Sequence, residues 1–475
     1  MNIDVTFHGA AEGVTGSKHL LEVDGHRILI DCGLFQGRRE EARARNLNLP
    51  FDPSTIHNVV LTHGHIDHSG ALPVLCRDGF SGHIIATPAT CDLARILLAD
   101  SGHIHESDAR YMNRRLEKRA RREGHKVSEG DRAAALYTIN DAVACEPFFH
   151  ELPYGREEEV APGVFCSFTD QGHIIGSSAV LFRIPNGDTE QRIIFSGDRG
   201  RSDMPILRDP EPYPECDILF TESTYGDRVH APASDMAEAL AVEIDRIIKS
   251  KGKVVIPAFS VGRTQNILYY LRLLRHEGRI PSIPIFVDSP LSTKASRVYG
   301  EHPECFDEET LALLEGHDSP LAFDDLEYVA SVDESKALNR MEGPAVILSA
   351  SGMCESGRIL HHFKSTIEDE RNTILLVGFM ARNTLGRRLV EREKNVRIFG
   401  KEYDIHARVS RMNGFSAHGD QKDLVDSVAH LKGRVKTIFL VHGEPRQSRA
   451  LKEALEAAGH VDVRCARYGA TDSLV

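Results

Sequence analysis

A chain of 475 residues exceeds one comfortable hydrophobic core and points to two domains. Its 41% hydrophobic and 27% charged content is that of a soluble globular protein, and no apolar run could span a bilayer, which excludes a helical membrane protein. A net charge of −13 counts against a general nucleic-acid coat, although a metal site or local basic stripe can hold phosphates on an acidic protein.

The nine cysteines are odd in number and lack C-x-x-C spacing. They form neither a disulfide framework nor a cysteine zinc site, and read as small buried hydrophobes. Met1-Asn2-Ile3-Asp4 puts an acid where a signal peptide carries basic residues, so the expected location is cytoplasmic.

Residues 1–36 alternate strand, glycine-rich turn and strand, with Asp24-Gly25 as a hairpin signal. Asp31 ends the apolar run Ile28-Leu29-Ile30, where it either forms the turn before Gly33 or orients groups in a nearby metal loop. Asn58-Val59-Val60-Leu61 is the next buried strand, and it delivers Thr62-His63-Gly64-His65-Ile66-Asp67-His68. Four ligand-capable side chains within six residues are hard to explain by packing. Neutral imidazoles with a carboxylate suit a borderline divalent cation such as zinc. A helix over 71–80, a strand over 82–88 and a helix over 89–101 follow, an α/β alternation. Residues 104–135 form an arginine-rich helical stretch with Arg110, Arg114, Arg115, Lys118, Arg119, Arg121 and Arg122. It is either a solvated helix face or an electrostatic footprint for a polyanion.

His173 stands at a strand end beside Gly172 and is the natural third imidazole. The apolar run Ile193-Ile194-Phe195 then brings Asp198 into a glycine turn, where one carboxylate could bridge two cations. The proline-rich segment 205–214 marks a domain boundary. Strands alternating with helices beyond it indicate a second, parallel-sheet α/β domain inserted into the first. Near the C-terminus, His418 and His442 each precede a glycine, His442 directly after an apolar strand. Loops converging at one sheet edge account for this recurring device.

Together these motifs resemble the metallo-β-lactamase superfamily and, within it, the β-CASP ribonucleases, over nearly the whole chain. Asp31, the His63-x-His65-x-Asp67-His68 segment, His173 and Asp198 match the four superfamily motifs; Glu222, His418 and His442 match the three β-CASP motifs. The resemblance implies an α/β protein with a four-layer αββα metallo-β-lactamase domain. Its first part spans 1–205, an inserted β-CASP domain spans 206–385, and 386–475 complete the first domain. It implies two zinc ions, one on His63, His65 and His173, the other on Asp67, His68 and His442, with Asp198 bridging; manganese is an alternative occupant. Histidine rather than valine at 442 favours RNA as substrate. The family's Gly-Thr-Leu-Gly turn is here Asn383-Thr384-Leu385-Gly386, a change asparagine tolerates.

The expected activity is endonucleolytic hydrolysis of RNA leaving a 5′-phosphate, with 5′–3′ exonuclease action as a variant. His418, kept protonated by Glu222, would donate to the leaving 3′-oxygen. Ser351, Arg263, Arg382 and Arg387 are candidates for holding phosphates, or structural residues. A small-molecule hydrolase would use the first four motifs without needing His418, a DNA-directed nuclease is a further alternative, and an inert scaffold should have lost ligands. The sequence is compatible with a homo-oligomer.

Overall fold

The computed structural model describes residues 1–37, 39–230, 235–316, 319–378, 380, 384–412, 414 and 416–474. Ile3–Phe7, His19–Val23 and His26–Ile30 form an antiparallel meander. Asp24 and Gly25 both take the positive φ that a two-residue hairpin turn requires. Asn58–Val60, Ile84–Ala86 and Phe149–Glu151 add in parallel on one side, and Thr471–Ser473 closes the other edge, making seven strands. A second seven-stranded sheet holds, in order, Val463–Cys465, Thr437–Val441, Ile218–Glu222, Thr189–Phe195, Ser178–Asn186, Val164–Asp170 and Glu157–Ala161.

The inner faces of the two sheets share a core that includes Phe7, Phe182, Phe195, Phe220 and Phe439. Three of these rings stack in a row, with centroids 4.2 Å and 4.8 Å apart. The helices Leu72–Arg77, Pro88–Glu123 and Ile139–Ala144 cover the outer face of the first sheet. Gln421–Val428 and Pro445–Ala457 cover that of the second. The result is the expected four-layer αββα stack.

A third sheet of six strands, every pairing parallel, runs Leu326–Tyr328, Ile285–Val287, Ala345–Ser349, Lys253–Pro257, Thr373–Val377 and Arg408–Met412. Its central strands are buried along their whole length, which explains their unbroken apolar runs. This sheet is offset from the expected insert of 206–385 at both ends. Ile218–Glu222 pairs with Thr189–Phe195 and Thr437–Val441 in the second sheet, and Arg408–Met412 belongs to the third. The proline-rich segment stays against the first unit: the Glu211 amide donates to the Asp170 carbonyl at 2.9 Å.

The helices expected at 89–101 and within 104–135 are one helix, Pro88–Glu123. Gly102 does not break it, because a Cβ there would lie 2.9 Å from the backbone of Thr138 and Ile139; the glycine permits that close approach. The helix stops at Gly124, which takes the left-handed conformation of a C-terminal cap. No helix among the described residues is long and apolar enough to cross a membrane.

Where this helix meets the third-sheet unit, His302 Nε2 lies 2.9 Å from Asp92 and Nδ1 lies 2.8 Å from Glu304. Burial disfavours the imidazolium, but the two carboxylates outweigh it and raise the pKa above the ordinary 6.5. Stability from this contact is therefore complete below pH 6.5 and lost as pH rises through the raised value. Thermal melts of His302→Ala should show a deficit of about 1 kcal/mol in weak acid, after discounting for the exposure of the carboxylates, that disappears in alkali.

Candidate metal centre

Asp31, His63, His173, Asp198, Glu222 and His442 all sit at or just beyond the C-terminal ends of strands, which gather at one edge of the two stacked sheets. The histidine-rich loop is pressed against the turn after Ile30. A Cβ on Gly33 would lie 1.6 Å from the Asp67 carbonyl oxygen, so only glycine lets the two backbones meet. Asp31 and His442 adopt positive φ without being glycine, a strained conformation that the surrounding packing holds.

Two donor sets result. In the first, His65 Nδ1 is 3.1 Å from His63 Nε2 and 3.2 Å from His173 Nε2, and Asp198 Oδ2 is 3.5 Å from both His63 and His173. In the second, His68 Nε2 and His442 Nε2 are 3.2 Å apart, Asp67 Oδ2 is 3.5 Å from His442, and Asp198 Oδ1 is 3.4 Å from His68. Asp198 thus turns one oxygen to each set, and its Oδ1, though buried, has no hydrogen-bond partner among the described residues.

This arrangement fits cations. One nitrogen of His65 faces two other ring nitrogens, and a single N–H cannot satisfy both contacts. Four donors about 2.0–2.1 Å from a tetrahedral centre lie roughly 3.3 Å from one another, close to the separations seen. Burial, the largest influence, lowers the pKa of His63 and His173, and that of His65 to about 4, which keeps them in the neutral form a metal requires.

The rings are held from behind. Asp31 accepts from the Thr62 amide at 2.9 Å and from Ser17 at 3.1 Å, and lies 2.6 Å from His68 Nδ1, which leaves His68 Nε2 facing the site. Burial opposes charge on His68, but Asp198 and Asp31 raise its pKa well above the ordinary value. Thr224 Oγ1 is 3.0 Å from His442 Nδ1. Neither Thr62 nor Thr224 stands out in the sequence, although each adjoins a motif.

Beside the donor sets, His418 Nδ1 is 3.0 Å from Glu222 Oε2 and 3.8 Å from Asp198 Oδ2. Glu222 is fully buried and accepts from the Arg199 amide at 2.6 Å. Burial pushes the His418 imidazolium down, but Glu222 and Asp198 outweigh it and hold the pKa up at about 9. The Tyr225 ring meets His418 edge-on at 5.8 Å.

Two of the phosphate candidates have protein partners of their own. Arg387 is committed to Glu391 at 2.7 Å, and the Ser351 hydroxyl accepts from the Glu355 amide at 3.3 Å. Arg263 is half-buried near Tyr225 and Arg201, and desolvation lowers its pKa to about 10. Arg382 lies outside the described residues.

Comparison with known proteins gives three family matches: "Metallo-beta-lactamase superfamily" over residues 14–258, "Beta-Casp domain" over 264–389, and "Zn-dependent metallo-hydrolase RNA specificity domain" over 402–466. The chain is 35% identical to Ribonuclease TTHA0252 of Thermus thermophilus, covering 97% of each. It is 30% identical to the transcription termination factor FttA of Methanosarcina mazei, over 94% of this chain and 67% of that one. A crystal structure of a protein of unknown function from Enterococcus faecalis shares the fold at a TM-score of 0.56, with 12% identity and full coverage of both chains.

Proposed function

Because the chain belongs to the β-CASP branch of the metallo-β-lactamase superfamily and is a metal-dependent hydrolase, we propose that it cuts RNA phosphodiester bonds endonucleolytically, in the cytoplasm, with two zinc ions. The observation that carries this reading is Asp198, whose two oxygens face two separate imidazole sets while His418 stands beside it. His63, His65 and His173 would hold one ion and Asp67, His68 and His442 the other, with Asp198 shared. Ions there would lower the pKa of water and polarise the phosphate.

The chain's own groups do the rest. Asp31 and Thr224 fix the outer nitrogens of His68 and His442, so the rings are oriented before any ligand arrives. Glu222 keeps the proton on His418 despite burial, and His418 passes it to the departing 3′-oxygen. The choice of RNA rests on histidine at 442 and on the ribonuclease and RNA-specificity likenesses.

The test joins metal analysis to cleavage of uniformly labelled RNA and DNA. The wild type should hold about two zinc equivalents and cut RNA internally. His442→Ala should lose about one equivalent, and RNA cleavage with it. Cleavage of DNA in preference to RNA, or one equivalent in the wild type, would refute the proposal.

A further inference from the structure

The end of the long helix has no part in the chemistry above, and its surface is of one kind. Beyond Ala109 no residue of Pro88–Glu123 is buried. The half-buried positions Met112, Asn113, Leu116, Glu117 and Ala120 share one side. There the chain returns past them, Asn113 bonding the Ala133 backbone through both ends of its amide at 2.8 Å and 2.9 Å. The exposed basic side chains cover the rest of the surface: Arg110, Arg114, Lys118 and Arg122 form a row at four-residue spacing, with Arg115, Arg119 and Arg121 flanking it.

Little of this charge is neutralised. Arg110 pairs with Glu106 at 3.3 Å and Arg119 with Glu123 at 2.8 Å, whereas Lys118, Arg121 and Arg122 have no acidic partner among the described residues. Tyr111, 53% exposed, lies within the row with the Arg115 guanidinium 5.9 Å from its ring. An isolated basic helix face repels itself, and solubility does not call for it on a chain of net charge −13. Basic side chains around an exposed aromatic ring suit a single nucleic-acid strand, whose phosphates meet the charges while a base stacks on the ring.

The helix also sets a distance. Leu93, in its first half, packs against Gly64 of the metal loop. At about 1.5 Å per residue, Arg114 to Arg122 lie roughly 30–45 Å further along, the span of about 9–13 stacked nucleotides. We infer that the face of Arg114, Lys118, Arg122 and Tyr111 is a docking track for the flank of a single-stranded RNA whose scissile bond lies at the metal centre. This rests on the proposed RNA substrate.

The test compares wild type with Arg114→Glu/Lys118→Glu/Arg122→Glu on unstructured RNAs of about 30 and about 4 nucleotides, the latter too short to reach the helix end from the cleft even when fully extended. The triple variant should raise KM for the long RNA by about 10–100-fold and leave kcat, and the short RNA, unchanged. Binding of the long RNA, followed by anisotropy in a His418→Ala background that slows cleavage, should lose about two units of its log–log salt slope, near 0.7 per phosphate contact. Should circular dichroism show that the charge reversal melts the helix, the neutral set Arg114→Gln/Lys118→Gln/Arg122→Gln and the single Tyr111→Ala give the same readout. Unchanged binding of the long RNA would reduce the row to solvated surface, and equal weakening of both lengths to a general field effect; either overturns the inference. Tighter binding of duplex DNA than of RNA through this face would overturn the choice of partner. If the wild type cuts no RNA yet loses long-RNA binding in the variant, the track stands and the proposed function fails.

Discussion

Replacing Asp198 with alanine is expected to abolish turnover, by about 10³-fold or more, and to reduce bound metal below one equivalent per chain. Among the described residues, Asp198 is the carboxylate that faces both donor sets, so its loss should weaken two sites together, where loss of His442 should weaken one. The residue is buried among His63, His68, His173, His418 and His442. Burial alone would favour its protonated form, but the surrounding imidazoles hold its pKa well below the ordinary carboxylate value. Asp198→Asn separates charge from shape. It keeps the packing and removes the anion, so it should lose metal nearly as fully as alanine. Retention of two equivalents in either variant would show that the carboxylate does not bridge.

His418→Ala is expected to lower kcat by about 10²–10⁴-fold while metal content stays at the wild-type level. A general acid acts in its protonated form, so wild-type kcat should be maintained below the His418 pKa and fall as pH rises through it. Without bound cations that value is about 9; cations beside it would draw it down. Glu222→Gln removes the main opposing charge, so its kcat should begin to fall at lower pH than in the wild type. A phosphodiester with an acidic leaving group, such as p-nitrophenol, needs no donated proton and should be cut by His418→Ala at close to the wild-type rate. Equal loss on both substrates would mean that His418 positions rather than protonates.

The candidate donors could be singled out because they stand in turns at strand ends, a pattern that burial without function does not favour. That pattern says which groups stand at a sheet edge, but not which oxygen of Asp198 faces which ring. Thr62 and Thr224 stayed hidden because a hydroxyl near a motif looks like any turn residue until its partner is placed. The strand Ile218–Glu222 was assigned to the insert because prolines precede it; parallel pairing with a strand more than 200 residues later leaves no local mark. The helices expected over 89–101 and within 104–135 run on as one through Gly102: glycine weakens a helix, but here a neighbouring backbone needs the space.

Joining early and late segments in one sheet edge also fixes when the site can exist. The second donor set draws on His442, and the ion pair with Glu222 on His418, after the whole third sheet has been made. During synthesis the histidine-rich loop therefore waits, half-furnished, until residues 418 to 442 have been made. A polypeptide stalled or truncated before residue 418 would lack both His418 and His442, however well its first 200 residues have folded.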